Sequence, residues 1–276
     1  MTLTDTRTVS TRSAAAGSSV RPRALAAGTL ALLTFVAVTA VALWTAGGQD
    51  LDQTAMTTVE AGRDTRLAVL SVLGYVSIGA VAVTAVVAVG LALLRGEVRL
   101  AVAAVAVIGG ANVTTQLLKA SVLERTEFAS GLFAHNSLPS GHTTVVAATL
   151  GALCLVSPTW LRPLVLAAGS FAVTLTGAST VVAGWHRPAD VVAAVVVSLV
   201  WTAAAALVVG GSTRGGASGF LAATLGSAAA IGFLILIGVR PSHGWDNFLT
   251  SGIVLGSIAL VTAVCATAMD RISPTR

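Results

Sequence analysis

Eight long apolar runs dominate this chain of 276 residues, at roughly 24–46, 67–94, 99–118, 141–158, 163–184, 189–210, 219–239 and 251–269. Crossing the hydrocarbon core of a bilayer as a helix takes about 20 apolar residues. Most of the runs reach that length, and the fourth is the shortest. Only 10% of the residues are Asp, Glu, Lys or Arg, against about 25% in an ordinary soluble domain. That is too little charge to cover a water-facing surface of this size. Val and Ala are abundant in several runs, as in buried strands, but the runs are long and lack regularly spaced turn signals. A backbone in lipid must satisfy its own hydrogen bonds, which a helix does within one segment. The expectation is an all-α, polytopic membrane helix bundle of about eight spans.

The positive-inside bias sets the orientation. With the N-terminus in the cytoplasm, that side holds Arg7, Arg12, Arg21, Arg23, Arg95, Arg99, Arg162, Arg214, Arg271 and Arg276. The other side holds Arg63, Arg66, Lys119, Arg125, Arg187 and Arg240. This majority places both termini in the cytoplasm and all four histidines, His135, His142, His186 and His243, on the extracytoplasmic side of a cell membrane. The basic pI of about 10.5 then reflects membrane topology and requires no nucleic-acid partner.

Residues 1–22 are rich in Ser, Thr, Ala and Arg and read as a disordered cytoplasmic tail. A six-span core is expected over 23–210. Two additional spans and a short C-terminus follow over 211–276, after the link GGSTRGGASG. Cys154 and Cys265 fall inside spans, with no Cys-x-x-Cys or Cys/His cluster to suggest a disulfide or a zinc site. Trp44, Trp160 and Trp185 lie near span ends, as interfacial anchors do, whereas Trp201 falls mid-span.

Three polar clusters share one predicted membrane face. In the first, Asn112, Gln116 and Lys119 follow one helical stripe to the only lysine in the chain, with Arg125 beyond it. The second is Pro139-Ser140-Gly141-His142 at the start of the fourth run. There a Ser N-cap, free N–H groups and the positive helix end suit an anion. The third runs from Ser179 to Asp190. Pro188 suits the first helical turn, and Asp190 can reach back as in a capping box to orient His186. Each has a simpler reading in isolation: a snorkelling lysine above interhelical amides, an ordinary capped turn, and a capped helix beside an interfacial histidine. Together they supply what phosphoryl transfer needs, namely fixed positive charge, an in-line nucleophile and an acid for the leaving oxygen.

The arrangement resembles the type 2 phosphatidic acid phosphatase family, or lipid phosphate phosphatase superfamily, in its bacterial integral membrane form. Its pattern is Lys-x6-Arg-Pro, Pro-Ser-Gly-His and Ser-Arg-x5-His-x3-Asp. The second motif is complete here, and the third keeps Ser179, His186 and Asp190 at the family spacing. The resemblance covers about residues 24–210. It implies that His186 attacks phosphorus to form a phosphohistidine, with Asp190 orienting it. It also implies that His142 protonates the leaving alkoxide and then activates water. Lys119, Arg125, Ser140 and the Gly141 amide would hold the phosphate oxygens, with no metal and no cofactor. Two departures stand out. Five residues rather than six separate Lys119 from Arg125, with Thr126 in place of the proline. Thr180 occupies the family's arginine position, and a hydroxyl cannot replace a guanidinium on phosphate. Arg187 is the candidate to compensate.

The expected activity is metal-independent hydrolysis of a lipid phosphate or diphosphate, of the phosphatidic acid, phosphatidylglycerol phosphate or polyprenyl class, with membrane lipids as surroundings. The alternatives are a lipid-linked phosphotransferase with the same phosphohistidine, and a catalytically impaired scaffold or transporter. Phe128, Leu132 and Phe133 are candidate interfacial contacts in the loop before the second motif. His243 and Asp246 near the last run are not read as a second site, because Pro-Ser-His-Gly inverts the order of the turn and lacks a partner motif.

Overall fold

A computed structural model of the chain describes residues 18–60, 69, 78–126, 128, 136–213, 217–237, 239 and 248–275. Among them are nine α-helices: α1 (Val20–Trp44), α2 (Ala46–Val59), α3 (Ile78–Leu94), α4 (Val98–Leu117), α5 (Gly141–Val156), α6 (Arg162–Val182), α7 (Pro188–Val209), α8 (Ala217–Leu236) and α9 (Phe248–Ile272). A π turn, Leu118–Val122, prolongs α4. The fold is an all-α polytopic bundle.

Each apolar run contains one of these nine helices or the greater part of it. Six are long and apolar enough to cross a membrane: α1, α4 with its π turn, α6, α7, α8 and α9. α5 has 16 residues, about 24 Å at 1.5 Å per residue, short of the ~30 Å hydrocarbon core. Its first residue is Gly141, so the polar Pro-Ser-Gly turn stands directly at the helix start. The expected tail through residue 22 is corrected. α1 begins at Val20, and Ser18–Ser19 (β1) pairs antiparallel with Ser212–Thr213 (β2). Pro22 in the first turn is compatible with this start, because the N–H it lacks would have no helical partner there. Residues 1–17 lie outside the described set.

The chain reverses at two ends of the bundle. At one end, β1, β2 and the tail of α9 are tied together: Thr275 N–H donates to Ser212 O at 2.8 Å. Arg162, buried at the start of α6, donates to the carbonyls of Ser273 and Pro274 and lies 3.7 Å from Asp270. Arg95, after α3, reaches the Val156 carbonyl at 2.9 Å. At the opposite end lie the α1–α2 corner, the π turn, the start of α5 and the α6–α7 turn.

Small residues let the helices approach, as membrane interfaces favour. Trp201, unexplained by an interfacial role, lies on α7 across Gly110 of α4. A Cβ at position 110 would meet its ring at 2.5 Å, and the indole N–H donates to Thr114 Oγ1 at 3.0 Å. α8 packs closely along α6, where Gly226 leaves no room for a Cβ, its nearest atom being the Ala167 carbonyl oxygen at 2.0 Å. Ala223, Ala263 and Met269 of α8 and α9 share a core with Leu150, Leu155, Leu166 and Leu199. The outward faces carry exposed Leu30, Leu33, Val102, Val208 and Leu236.

One prediction follows from this seam. Gly226→Leu forces α8 away from α6 and lowers the melting temperature in detergent, by a loss of about 1–3 kcal/mol or more as for overpacked cores. At Gly232 on the same helix an added Cβ meets nothing within 4 Å, and Gly232→Leu leaves the melting temperature unchanged. Equal thermal stability of the two variants would contradict the packing.

Candidate active site

The α6–α7 reversal is built by local rules. After Val182 the chain turns through Gly184 at φ +72°, a left-handed conformation that glycine adopts without steric cost. The amides of Trp185 and His186 donate back to the Thr180 carbonyl at 3.0 and 3.2 Å. Arg187 is the N-cap of α7, Pro188 opens it, and Asp190 closes a capping box by accepting the Arg187 N–H at 3.0 Å. The same oxygen of Asp190 lies 3.0 Å from His186 Nδ1 and accepts the Ser137 hydroxyl at 2.6 Å. An ionised Asp190 can only accept, so the network assigns the proton to Nδ1 and leaves the Nε2 lone pair of His186 available.

The second reversal brings in α5. Asn136 braces the loop internally, donating to the Leu123 carbonyl at 2.9 Å and accepting from the Leu138 amide at 2.9 Å. Leu138–Pro139 is cis, and the Ser140 amide donates to the Asp190 carbonyl at 2.9 Å. Ser140 is fully buried. Its hydroxyl accepts from the Thr143 amide at 3.5 Å and the Thr143 hydroxyl at 3.1 Å. In this structure it therefore acts as the cap of α5, closed off from solvent. Gly141 stands at the first helical position, with Gln116 of α4 beside it. His142 is exposed, its ring 6.0 Å from that of Trp185.

Lys119 sits half-buried on the π turn. Its charge acts on both Asp190 and His142, and His142 also feels His186. Arg125 follows on an extended stretch held by the α1–α2 corner. The Thr126 amide donates to the Leu43 carbonyl at 3.2 Å, Trp44 Nε1 to Glu124 O at 3.1 Å and Gln49 Nε2 to Thr126 O at 2.6 Å. Burial, and then the like charge of Arg187, push the Arg125 guanidinium below its ordinary value, while Asp52 and Asp190 pull it back. Lys119, Arg125, His142, His186 and Arg187 thus gather around Asp190 and Asp52. Such an excess of basic groups favours an anionic ligand.

Thr180 does not reach this site. It is fully buried, and its hydroxyl donates to Gly177 O at 2.8 Å in its own helix. Ser179 is likewise buried. Arg187 is nearly buried, with Nε donating to Gln53 Oε1 at 3.1 Å and Nη1 to Ser137 Oγ at 3.3 Å. The stretch 46–59, to which no element was assigned from sequence, is helix α2. It supplies Gln49, Asp52 and Gln53, and Asp52 Oδ1 accepts the Ala189 amide at 3.0 Å. The available signal was the alternation of Gln49, Asp52, Gln53 and Met56 at helical spacing between two apolar runs. His135, Leu132, Phe133, His243 and Asp246 lie outside the described residues.

Beside the site, α1, α2, α9 and the start of α7 enclose an apolar groove of about 540 Å³, lined by Val38, Val41, Leu51, Asp52, Ala189 and Val254 among others. Asp52 and Ala189 belong to both the groove and the site.

Residues 98–214, from α4 to just beyond α7, match the PAP2 superfamily model. The match covers less than half of the chain, and over that segment the chain is similar to PAP2 proteins. The matched segment contains Lys119, Arg125, Ser140, Gly141, His142, His186, Arg187 and Asp190, whereas α1–α3, α8 and α9 flank it. Phosphatase-type hydrolysis is the general activity of PAP2 proteins. No curated protein and no solved structure gave a significant match to the chain.

Asp52 makes the site's electrostatics measurable. Burial raises its carboxyl from 3.8 to about 6, the Asp190 charge adding to the rise and the Ala189 amide, Arg187 and Arg125 opposing it. A carboxyl with a higher pKa folded than unfolded adds stability below the unfolded value that is lost as pH climbs through the folded one. Above pH 6 the ionised group therefore costs roughly 3 kcal/mol, from about 1.4 kcal/mol per pKa unit. Asp52→Asn keeps an acceptor for the Ala189 amide. It should melt higher than wild type at pH 8, with the difference vanishing near pH 4. A constant difference across that range would show that the carboxylate is not desolvated.

Proposed function

We propose that this protein acts as a PAP2-type enzyme, a metal-independent lipid phosphate phosphatase that works through a phosphohistidine. The observation carrying this reading is the His186 Nδ1–Asp190 contact at 3.0 Å, coupled electrostatically to His142 and Lys119. Nε2 of His186 attacks phosphorus. As the N–P bond forms, the bond from phosphorus to the lipid oxygen breaks, and that oxygen takes a proton from the His142 imidazolium. Water then gives a proton to neutral His142 and attacks phosphorus. The N–P bond breaks, releasing phosphate and restoring His186. Asp190 holds the ring and stabilises the imidazolium that forms. Lys119, Arg125, Arg187 and the Gly141 amide neutralise the phosphoryl oxygens, while Ser140 supports that amide through the helix cap.

The apolar groove supports a lipid substrate. Its volume falls within the roughly 300–1,000 Å³ of small-molecule sites, and it meets the site at Asp52 and Ala189. A chain lying in it would bring a terminal phosphate to the α7 N-terminus. The charge bias of the loops supports termini in the cytoplasm and a site at the extracytoplasmic leaflet.

Purified protein in chelator should release phosphate from one or more of phosphatidic acid, phosphatidylglycerol phosphate and polyprenyl phosphates or diphosphates. His186→Ala should lower turnover at least about 1,000-fold, and His142→Ala about 100-fold or more. Equal turnover in wild type and His186→Ala would sink the mechanism. Transfer of the phosphoryl group to an added alcohol, as the main product, would make the protein a phosphotransferase instead.

A separate test addresses the groove. Ala37→Trp fills it from its exposed α1 wall. It should raise KM severalfold for a long-chain phosphate and leave a chainless aryl phosphate unaffected. Identical KM changes for both would remove the groove from substrate binding.

A further inference from the structure

PAP2 proteins of the pattern described above carry an arginine where this chain has Thr180, and the Thr180 hydroxyl is spent on Gly177 O inside α6. The positive charge nearest the His186–Asp190 pair on its own turn is Arg187. A guanidinium at a helix N-cap has many rotamers, and a phosphate donor is effective only when its geometry is set beforehand. Two contacts set it here. Nε donates to Gln53 Oε1 at 3.1 Å and Nη1 donates to Ser137 Oγ at 3.3 Å. The Ser137 hydroxyl in turn donates a hydrogen bond to Asp190 at 2.6 Å, and Asp190 meets His186 at 3.0 Å. A continuous hydrogen-bonded chain therefore runs from Gln53 through Arg187, Ser137 and Asp190 to His186.

Gln53 lies on α2, outside the PAP2-matched segment. Its neighbour Asp52 takes the Ala189 amide at 3.0 Å, one of the helix-start donors without a partner inside α7. Adjacent residues of α2 thus grip two residues on either side of Pro188 at the start of α7, one by side chain and one by backbone. Gln49, one turn earlier, fastens the stretch that carries Arg125. α2 is therefore in contact with both arginine-bearing segments.

We propose that Gln53 is a positioning residue that makes Arg187 the phosphate-binding guanidinium in place of the arginine missing at Thr180, so that α2 completes a site the PAP2 segment leaves short. This rests on the phosphatase reading above and adds to it the source of the missing charge. The neutral amide suits the task because it orients the guanidinium without cancelling the charge that phosphate needs, as a carboxylate would.

The test is a double-mutant cycle on phosphate release, with His186→Ala as the control for the mechanism itself. Gln53→Ala should lower kcat/KM about tenfold or more, and Arg187→Ala about 100-fold. The double variant should be no worse than Arg187→Ala alone, because Gln53 acts only through Arg187. Multiplying effects, or full activity in Gln53→Ala, would overturn the proposal. Should Gln53→Ala not fold, Arg187→Lys carries the test, since it keeps the charge but lacks the Nε–H that Gln53 holds. A loss of about tenfold supports the proposal, and wild-type activity overturns it. In either case His186→Ala remains inactive if the phosphatase reading stands, so failure of the two ideas can be told apart.

Discussion

One oxygen of Asp190 gathers the site. It accepts the Arg187 amide, the Ser137 hydroxyl and His186 Nδ1, while the backbone carbonyl of the same residue accepts the Ser140 amide. Two segments far apart in the chain, the loop that leads into α5 and the α6–α7 turn, converge on a single buried residue. Desolvating a carboxylate costs several kcal/mol unless hydrogen bonds to the ionised form offset it. The donors around Asp190 supply that offset, and in doing so fix the ring of His186, the N-cap of α7 and the entry to α5. Removing the carboxylate would leave each of these groups buried without its acceptor.

The basic groups around this centre pose the opposite problem. Lys119, Arg125 and Arg187 all lie within electrostatic or hydrogen-bonding reach of Asp190, and the repulsion between the two arginines is felt at Arg125. Asp190 is already committed to its donors, and Asp52 is raised toward neutrality by burial. The fold therefore holds more positive than negative charge near the start of α5, where a bound phosphate would relieve it.

The frame that holds these charges is close packing without large side chains. Gly226 against Ala167 and Gly110 beneath Trp201 bring helix axes near enough for van der Waals contact, which is the main cohesive force between helices in lipid. α8 and α9 join the same core as the PAP2 segment. Trp201 shows why a mid-span aromatic resists interpretation from sequence: its partner glycine lies about 90 positions earlier, on a different helix.

What the amino-acid sequence determined by itself is whatever depends on neighbours along the chain. The apolar runs specify a helical bundle because no other backbone satisfies its hydrogen bonds within a segment in lipid. The Pro-Ser-Gly-His turn, the capping box and the spacing of His186 and Asp190 are likewise legible, since one helical turn sets their geometry. Only the tertiary structure decided that Ser137 reaches Asp190, that Ser140 is closed off as a cap and that Thr180 faces its own helix. The same holds for α2, whose Gln53 meets Arg187 from 134 positions away. Those contacts depend on how closely helices approach, which is governed by small residues meeting across interfaces and leaves no periodic mark in the sequence.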